Sequence, residues 1–311
     1  MKIVFFGSGE RAFGCLNALC EKKHDILLVV TDKAEGVVRD LAAKNRLECV
    51  VGPDPNEFTF REKLKKLRAD LFVMAAYGKI MKKGTIDIPR LMTVNLHGGK
   101  LSGRRGSSPM NWALIENADS FTLSIIKVDE GIDTGDILSE RTFAVSGDDT
   151  IVDLHKIANE QFPKMLVEVI EKIANNTHKM VPQDNSKAAY YPLRFPDDGL
   201  ILFDMRTAHE AHERLRALTR PYPCAFTFFK GRKVLLIASK RCETPHFGEP
   251  GRIYKKTSGG ILVSAKDKCL WITKAEFEDT GASLFDGVKR YDILASAAGT
   301  TLELLKSGRA G

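Results

Sequence analysis

The chain has 311 residues, 43% apolar and 28% charged, with a formal net charge of +7. Those proportions belong to a globular chain of one large or two ordinary domains and exclude a disordered or collagen-like one. No run approaches the roughly 18 consecutive apolar residues that cross a bilayer, the apolar start at 1–7 is too short for a secretory leader, and the six cysteines form neither a zinc spacing nor a disulfide framework. A cytoplasmic protein with no membrane partner and no metal is therefore expected. The positive charge suits an anionic partner, whether a phosphorylated metabolite, a polyglutamate tail or a nucleic acid.

In chain order, apolar runs at 2–6, 25–31, 47–51, 71–75, 93–96, 123–128 and 137–145 read as strands. Stretches 11–22, 37–45, 58–67 and 110–116 carry the three-and-four spacing of amphipathic helices, the last opening on Ser107-Ser108-Pro109. Strand and helix alternate, which predicts a Rossmann-like α/β fold with a mostly parallel sheet covered by helices. Residues 150–176 form the longest helical pattern, and Pro163 should kink or split it. Residues 177–199, with Pro182, Pro192 and Pro196, read as a connection that ends in the turn Pro196-Asp197-Asp198-Gly199. One more helix, 207–218, precedes five short strands at 225–229, 234–239, 252–254, 260–265 and 269–273. These suggest a smaller, partly open, OB-like β-barrel. The expected division is a catalytic domain at 1–190, a linker at 191–205 and a C-terminal barrel-like domain at 206–311.

The chemistry concentrates around Asn95, His97 and Asp133. In an open parallel sheet, ligands bind at the carboxyl ends of strands. Asn95 and His97 close an apolar run, and residues i and i+2 of an extended segment face the same side. Asp133 follows the next apolar run, in Val128-Asp129-Glu130-Gly131-Ile132-Asp133-Thr134-Gly135. An amide, an imidazole and a carboxylate can stabilise an oxyanion and move a proton, which is what acyl transfer to an amine requires. A lone histidine after a strand is more often structural; its combination with the amide and the acidic loop carries the inference. Gly7-Ser8-Gly9 also follows the first strand, but Ala12 stands where a dinucleotide fingerprint has its third glycine, so a nicotinamide oxidoreductase is disfavoured.

Residues 95–112 (Asn-Leu-His-Gly-Gly-Lys-Leu-Ser-Gly-Arg-Arg-Gly-Ser-Ser-Pro-Met-Asn-Trp) and 128–138 resemble the formyltransferases that use 10-formyltetrahydrofolate, and a looser resemblance extends over nearly the whole chain. The resemblance implies the roles. Asn95 would donate to the developing oxyanion, His97 would stabilise the same oxygen and relay a proton, and Asp133 would hold the histidine or a water and help deprotonate the amine. The pterin of the folate donor would lie along the backbone of Lys79, Ile80 and Met81 and against the loop holding Val128 and Glu130. A flat heterocycle needs such an apolar slot edged by backbone donors and acceptors.

Two subfamilies with this architecture differ in the amine they formylate. The methionyl-tRNA enzymes carry a basic insertion after the second strand and Ser-Leu-Leu-Pro after the histidine's glycine. Here Thr31-Asp32-Lys33-Ala34-Glu35-Gly36 runs straight into the helix at Val37, and Gly99-Lys100-Leu101-Ser102 stands after the histidine. Pro196-Asp197-Asp198 and Arg220-Pro221-Tyr222-Pro223 resemble the enzymes acting on UDP- or dTDP-linked amino sugars. Lys100, Arg104 and Arg105 could hold a pyrophosphate. The expected acceptor is thus a sugar nucleotide, with a place in lipopolysaccharide biosynthesis, and tRNA is disfavoured. The small barrel could bind nucleic acid or sugar nucleotide, or support a homodimer.

Overall fold

Apart from Lys2, every residue of β1 (Lys2–Gly7) is buried. Such a strand must be covered on both faces, as the inner strands of α/β sheets are. The computed structural model describes residues 1–299; the end of the expected C-terminal domain, 300–311, lies outside the described residues. After β1 come α1 (Gly9–Glu21), β2 (Asp25–Thr31), α2 (Val37–Lys44), β3 (Cys49–Val51), α3 (Phe58–Leu67), β4 (Leu71–Ala75), a single turn α4 (Lys83–Ile86) and β5 (Met92–His97). The chain continues through β6 (Arg105–Gly106), α5 (Pro109–Ile115), β7 (Ser120–Lys127), β8 (Ile137–Ala144), α6 (Ile151–Ala174) and β9 (Tyr190–Tyr191).

The main sheet has the order β3-β2-β1-β4-β5-β7-β8. Strands β1 to β5 pair in parallel, and β7 and β8 run antiparallel. The order reverses between β1 and β4, the kind of switch point at which open α/β sheets leave a crevice. The antiparallel step matters for the site. Lys127, the last residue of β7, pairs with Val94, whereas His97 pairs with Ser124. Asp133 therefore reaches the histidine from a returning loop rather than from the carboxyl end of a parallel strand.

Pro163 does not split the helix, because α6 is one helix from Ile151 to Ala174. The proline ring sits over Gly14 of α1, where an added Cβ would come 3.2 Å from Pro163 Cγ. The missing side chain leaves room for the ring against α1.

The described chain divides into two compact units that are not contiguous in sequence: Met1–Pro109, Ser120–Ala144 and His155–Pro192 form one, and Met110–Asp119, Val145–Leu154 and the chain from Leu193 on form the other. In the second unit, α7 (Ala208–Leu218) starts with a capping box. Thr207 Oγ1 accepts from Glu210 N at 3.1 Å, and Glu210 Oε2 accepts from Thr207 N at 2.8 Å. Two orphan donors of the helix start are thereby satisfied. Strands β10 (Ala225–Phe229), β11 (Arg232–Lys240), β12 (Ile253–Thr257), β13 (Gly260–Ser264) and β14 (Cys269–Phe277) pair antiparallel in the order β10-β11-β14-β13-β12, followed by the turn α8 (Leu284–Gly287). The buried carboxylate of Glu213 is paired with Arg216 and Arg241. Arg216 Nη1 also donates to the carbonyls of Ser146 at 3.0 Å and Asp149 at 2.8 Å. Asn111 Nδ2 donates to Ala217 O at 2.7 Å. These bonds bring 110–119 and 145–154 into the second unit.

Candidate active site

Strand β5 alternates its side chains so that Asn95 is half-buried and His97, two residues on, is buried. Among the described residues the Asn95 amide has no hydrogen-bond partner. His97 has a polar neighbour at each ring nitrogen. Nε2 lies 2.6 Å from Arg104 O, and Nδ1 lies 3.5 Å from Asp133 Oδ2. A carbonyl oxygen only accepts, so Nε2 carries the hydrogen. The second nitrogen then faces the Asp133 carboxylate.

Asp133 is held from several directions. It adopts φ +53°, in the left-handed region, which an aspartate tolerates better than most residues. Its Oδ2 accepts from Gly106 N at 2.9 Å, and its own carbonyl accepts from Gln183 Nε2 at 2.8 Å. The same amide donates to Gly135 O at 2.7 Å. Gly99 is equally constrained, because a Cβ there would lie 2.7 Å from Arg104 O and 2.8 Å from His97 Nε2.

The expected donor-binding residues fall in two neighbouring loops. Met81 is buried in the apolar cluster of the first unit, and Val128 and Tyr77 pack against that cluster. Ile80 is exposed at 70%, and Ile132 of the second loop at 52%. The Glu130 carboxylate is near enough to help raise Lys83, behind the larger effect of Asp87. The loop at 79–82 is stitched to the one after β3. Lys79 Nζ donates to the carbonyls of Gly52 at 2.7 Å and Pro53 at 2.9 Å, and Asn56 Nδ2 donates to Ile80 O at 2.8 Å. Lys79 is thus a brace, with its ammonium already engaged. An apolar floor beside two exposed isoleucines fits a flat heterocycle. Burial pushes the Tyr77 hydroxyl up to about 12, with further raising from Asp32 and Asp54, so it stays a neutral phenol at that floor.

The three cations expected on a pyrophosphate separate. Lys100 is exposed. Arg104 lies with its guanidinium 5.7 Å from the ring centre of Tyr191. Arg105 is a correction: it is only 2% exposed, and its guanidinium is spent on Gln183 Oε1, Asn185 Oδ1 and Tyr190 Oη. A buried arginine with four hydrogen bonds inside the protein is unavailable to a ligand. Gln183 and Gly99 were missed in the sequence. The Gly98-Gly99 pair beside the histidine was an available signal for the second; nothing local marks the first.

Comparison with known proteins bears on the acceptor. The family described as formyl transferase matches residues 1–170, and the family described as formyl transferase, C-terminal domain, matches 195–283. A methionyl-tRNA formyltransferase of Acetivibrio thermocellus is 32% identical over 291 residues, covering 90% of this chain and 93% of its own. One of Caldicellulosiruptor saccharolyticus is 34% identical over 294 residues, covering 89% and 93%. Among solved structures, the N-formyltransferase of Helicobacter canadensis, in complex with folinic acid and dTDP-3-aminofucose, has a TM-score of 0.69 at 17% identity, covering 88% of this chain and 99% of that one. HypX of Aquifex aeolicus has a TM-score of 0.62 at 18% identity; 89% of this chain is covered but only 44% of HypX, so the chain spans under half its length.

These findings overturn the expected sugar-nucleotide acceptor, its place in lipopolysaccharide biosynthesis and the demotion of tRNA. The relatives similar along nearly the whole chain are named for methionyl-tRNA. At 17% identity, the likeness to the sugar enzyme speaks for the fold alone. The segment between β2 and α2 is indeed short, but one connection and one four-residue motif weigh less than similarity spread over both parts of the chain.

Proposed function

The chain belongs to the formyl transferase family, and from that premise we propose that it formylates the α-amine of methionyl-tRNA. The formyl donor of the family is 10-formyltetrahydrofolate, which supplies an activated one-carbon acyl group when bound. Lys79–Met81 and Val128–Glu130 are the residues we assign to its binding, through the apolar floor and backbone edges at the two loops.

Asn95 is assigned to the oxygen of the formyl group, which gains negative charge as the amine attacks. An amide donor preset at that position acts only as charge develops, which is why such donors lower the barrier. His97 contributes as an oriented ring, with Nε2 hydrogen-bonded to Arg104 O and Nδ1 facing the Asp133 carboxylate. Asp133 takes the proton that the amine loses on forming the new C–N bond, directly or through a water; the bond from the formyl carbon to the donor's nitrogen breaks, and that proton goes to the leaving nitrogen of tetrahydrofolate. The observation that carries this assignment is the Arg104–His97–Asp133 line, with a carbonyl on one side of the ring and a carboxylate on the other.

For the acceptor, support comes from the full-length similarity to methionyl-tRNA enzymes and from the charge. A chain of +7 has the sign that nucleic-acid phosphates select. In the second unit, burial and then repulsion from Arg206 and Arg194 pull Arg214 down against the opposing Glu210 and Asp198, which marks three guanidinium groups and two carboxylates close together. The proposed division along the sequence is a catalytic part at 1–190, a linker at 191–205 and a C-terminal part from 206, with 110–119 and 145–154 belonging to the second compact unit, and the cytoplasm is the proposed site of action, where charged tRNA is found.

The test supplies 10-formyltetrahydrofolate with methionyl-tRNA, uncharged tRNA or free methionine, and follows tetrahydrofolate release. Release is expected only with methionyl-tRNA, at a KM that rises steeply with salt. No release with methionyl-tRNA would refute the proposal.

A further inference from the structure

The residues between α6 and the second unit read in the sequence as a plain connection. In the structure they form a strap across the two loops that carry the site. Val181 and Ile137 exchange backbone hydrogen bonds at 2.9 Å. Ser102 Oγ donates to Asp184 O at 2.5 Å. Arg105 N donates to Ala189 O and Ser107 N to Tyr191 O, each at 2.9 Å. The strap thereby pairs with the loop after His97 on one side and the end of the Asp133 loop on the other.

One strap side chain joins the two. Gln183 Oε1 accepts from Arg105 Nε at 3.0 Å and Nη2 at 2.8 Å, while its Nε2 donates to Asp133 O at 2.8 Å and Gly135 O at 2.7 Å. A primary amide has two donor hydrogens and two acceptor lone pairs, and all four are used here. We infer that Gln183 is a positioning residue for formyl transfer, which ties the buried guanidinium of Arg105 to the backbone of the Asp133 turn and so sets Asp133 against His97. This rests on the reading that Asp133 and His97 act together.

Asp133 sits at φ +53°, and a non-glycine residue stays in that region only when its surroundings over-determine it. Gly106 N fixes its carboxylate, but a carboxylate can swing about its own side-chain bonds. The two bonds from Gln183 instead fix the peptides at Asp133 and Gly135, and with them the direction in which the side chain leaves the backbone. The other end of the strut is firm, because Arg105 is buried and also donates to Asn185 Oδ1 at 2.7 Å and Tyr190 Oη at 3.1 Å. No carboxylate is among its hydrogen-bond partners in the described residues, so the guanidinium is held by neutral oxygens and serves as an anchor. Glutamine alone meets both ends: glutamate would face two carbonyls with no hydrogen to give, lysine would repel Arg105, and asparagine is one methylene too short.

The experiment compares Gln183→Met, Gln183→Glu and Asp133→Asn, measuring kcat, both KM values, the pH profile of kcat and the thermal midpoint. Gln183 lies on an exposed strap and is itself only half-buried, so its variants should fold with midpoints near that of the parent. Displacing a reacting group by about an ångström costs on the order of 100-fold. We expect kcat to fall about 10- to 100-fold in both Gln183 variants with KM values little changed. The pH profile of Gln183→Glu should be displaced, because a carboxylate then abuts the Asp133 turn. Parent-like kcat and pH profile in the Gln183 variants, beside an inactive Asp133→Asn, would overturn the inference alone. So would a kcat loss that only tracks lost folded protein. An active Asp133→Asn would instead remove the reading on which it rests.

Discussion

The imidazole Nε2 of His97 is bonded to the carbonyl oxygen of Arg104 at 2.6 Å, seven residues on, and the turn between them passes directly beneath that bond at Gly99. A Cβ on Gly99 would lie 2.7 Å from the carbonyl, 2.8 Å from Nε2 and 2.8 Å from Pro109 Cβ. Two of those three neighbours are backbone and a proline ring, which cannot swing aside. Gly99→Ala should therefore push Arg104 off the histidine while leaving the strands intact. The expected result is a fall in kcat of at least about 10-fold with a thermal midpoint lowered by only a few degrees; an unchanged kcat would show that the bond does not orient the ring.

Substitution of the three assigned groups separates their roles. General acid–base groups typically contribute about 100- to 10,000-fold, and one oxyanion donor about 3–4 kcal/mol. Asn95→Ala, His97→Ala and Asp133→Ala should each lose most turnover while retaining the folded spectrum. Asn95, with no partner among the described residues, should perturb stability least. Retention of more than about a tenth of the rate in all three would contradict the assignment.

The proposed catalytic groups stand out in the sequence because they lie in local patterns. Asn95 and His97 end an apolar run, and Asp133 stands in a loop whose glycines and carboxylates have no place in a core. The strands read correctly for the same reason, since alternation and apolar runs are short-range signals. Arg105 was misread because sequence shows its charge but not what covers it: its partners at Gln183 and Tyr190 lie 78 and 85 positions away. Gln183 was silent because nothing within its own segment distinguishes it. At Pro163 the backbone rule allows a kink or a split, and the helix runs through the proline without a split. The acceptor was misjudged because the deciding similarity is diffuse, while the features that pointed to a sugar are two short segments.

Acid stability should report on α1 and α6. His155 Nδ1 accepts from Arg11 Nη2 at 3.1 Å, so the ring is neutral in the folded protein. Burial, and then the Arg11 charge, lower it to about 4. Its folded value lies below the 6.5 of the unfolded chain. As pH falls from 6.5, the unfolded chain takes up a proton that the folded one refuses until about 4, and stability declines across that window. The loss amounts to about 3 kcal/mol at most. His155→Gln cannot take a proton, so the fall in its urea midpoint between neutral pH and pH 5 should be smaller than the parent's. Parallel declines would locate the acid sensitivity elsewhere.

The Glu213 carboxylate in the second unit is 1% exposed and answers two arginines, of which Arg216 is 5% exposed. Removing one member of a buried pair leaves the other charge without compensation, which typically costs about 3–5 kcal/mol. Arg216→Ala removes more than a charge, because Nη1 also satisfies the carbonyls of Ser146 and Asp149. Glu213→Gln keeps the shape and an acceptor oxygen but turns half of the carboxylate into a donor facing an arginine. Arg241 is half-exposed at 48%, so water can replace its partner, and surface-type pairs are worth about 1 kcal/mol or less. The expected order of destabilisation in urea is Arg216→Ala, then Glu213→Gln, then Arg241→Ala. Finding Arg241→Ala as costly as Arg216→Ala would mean that the carboxylate depends on both arginines equally, and that burial does not rank them.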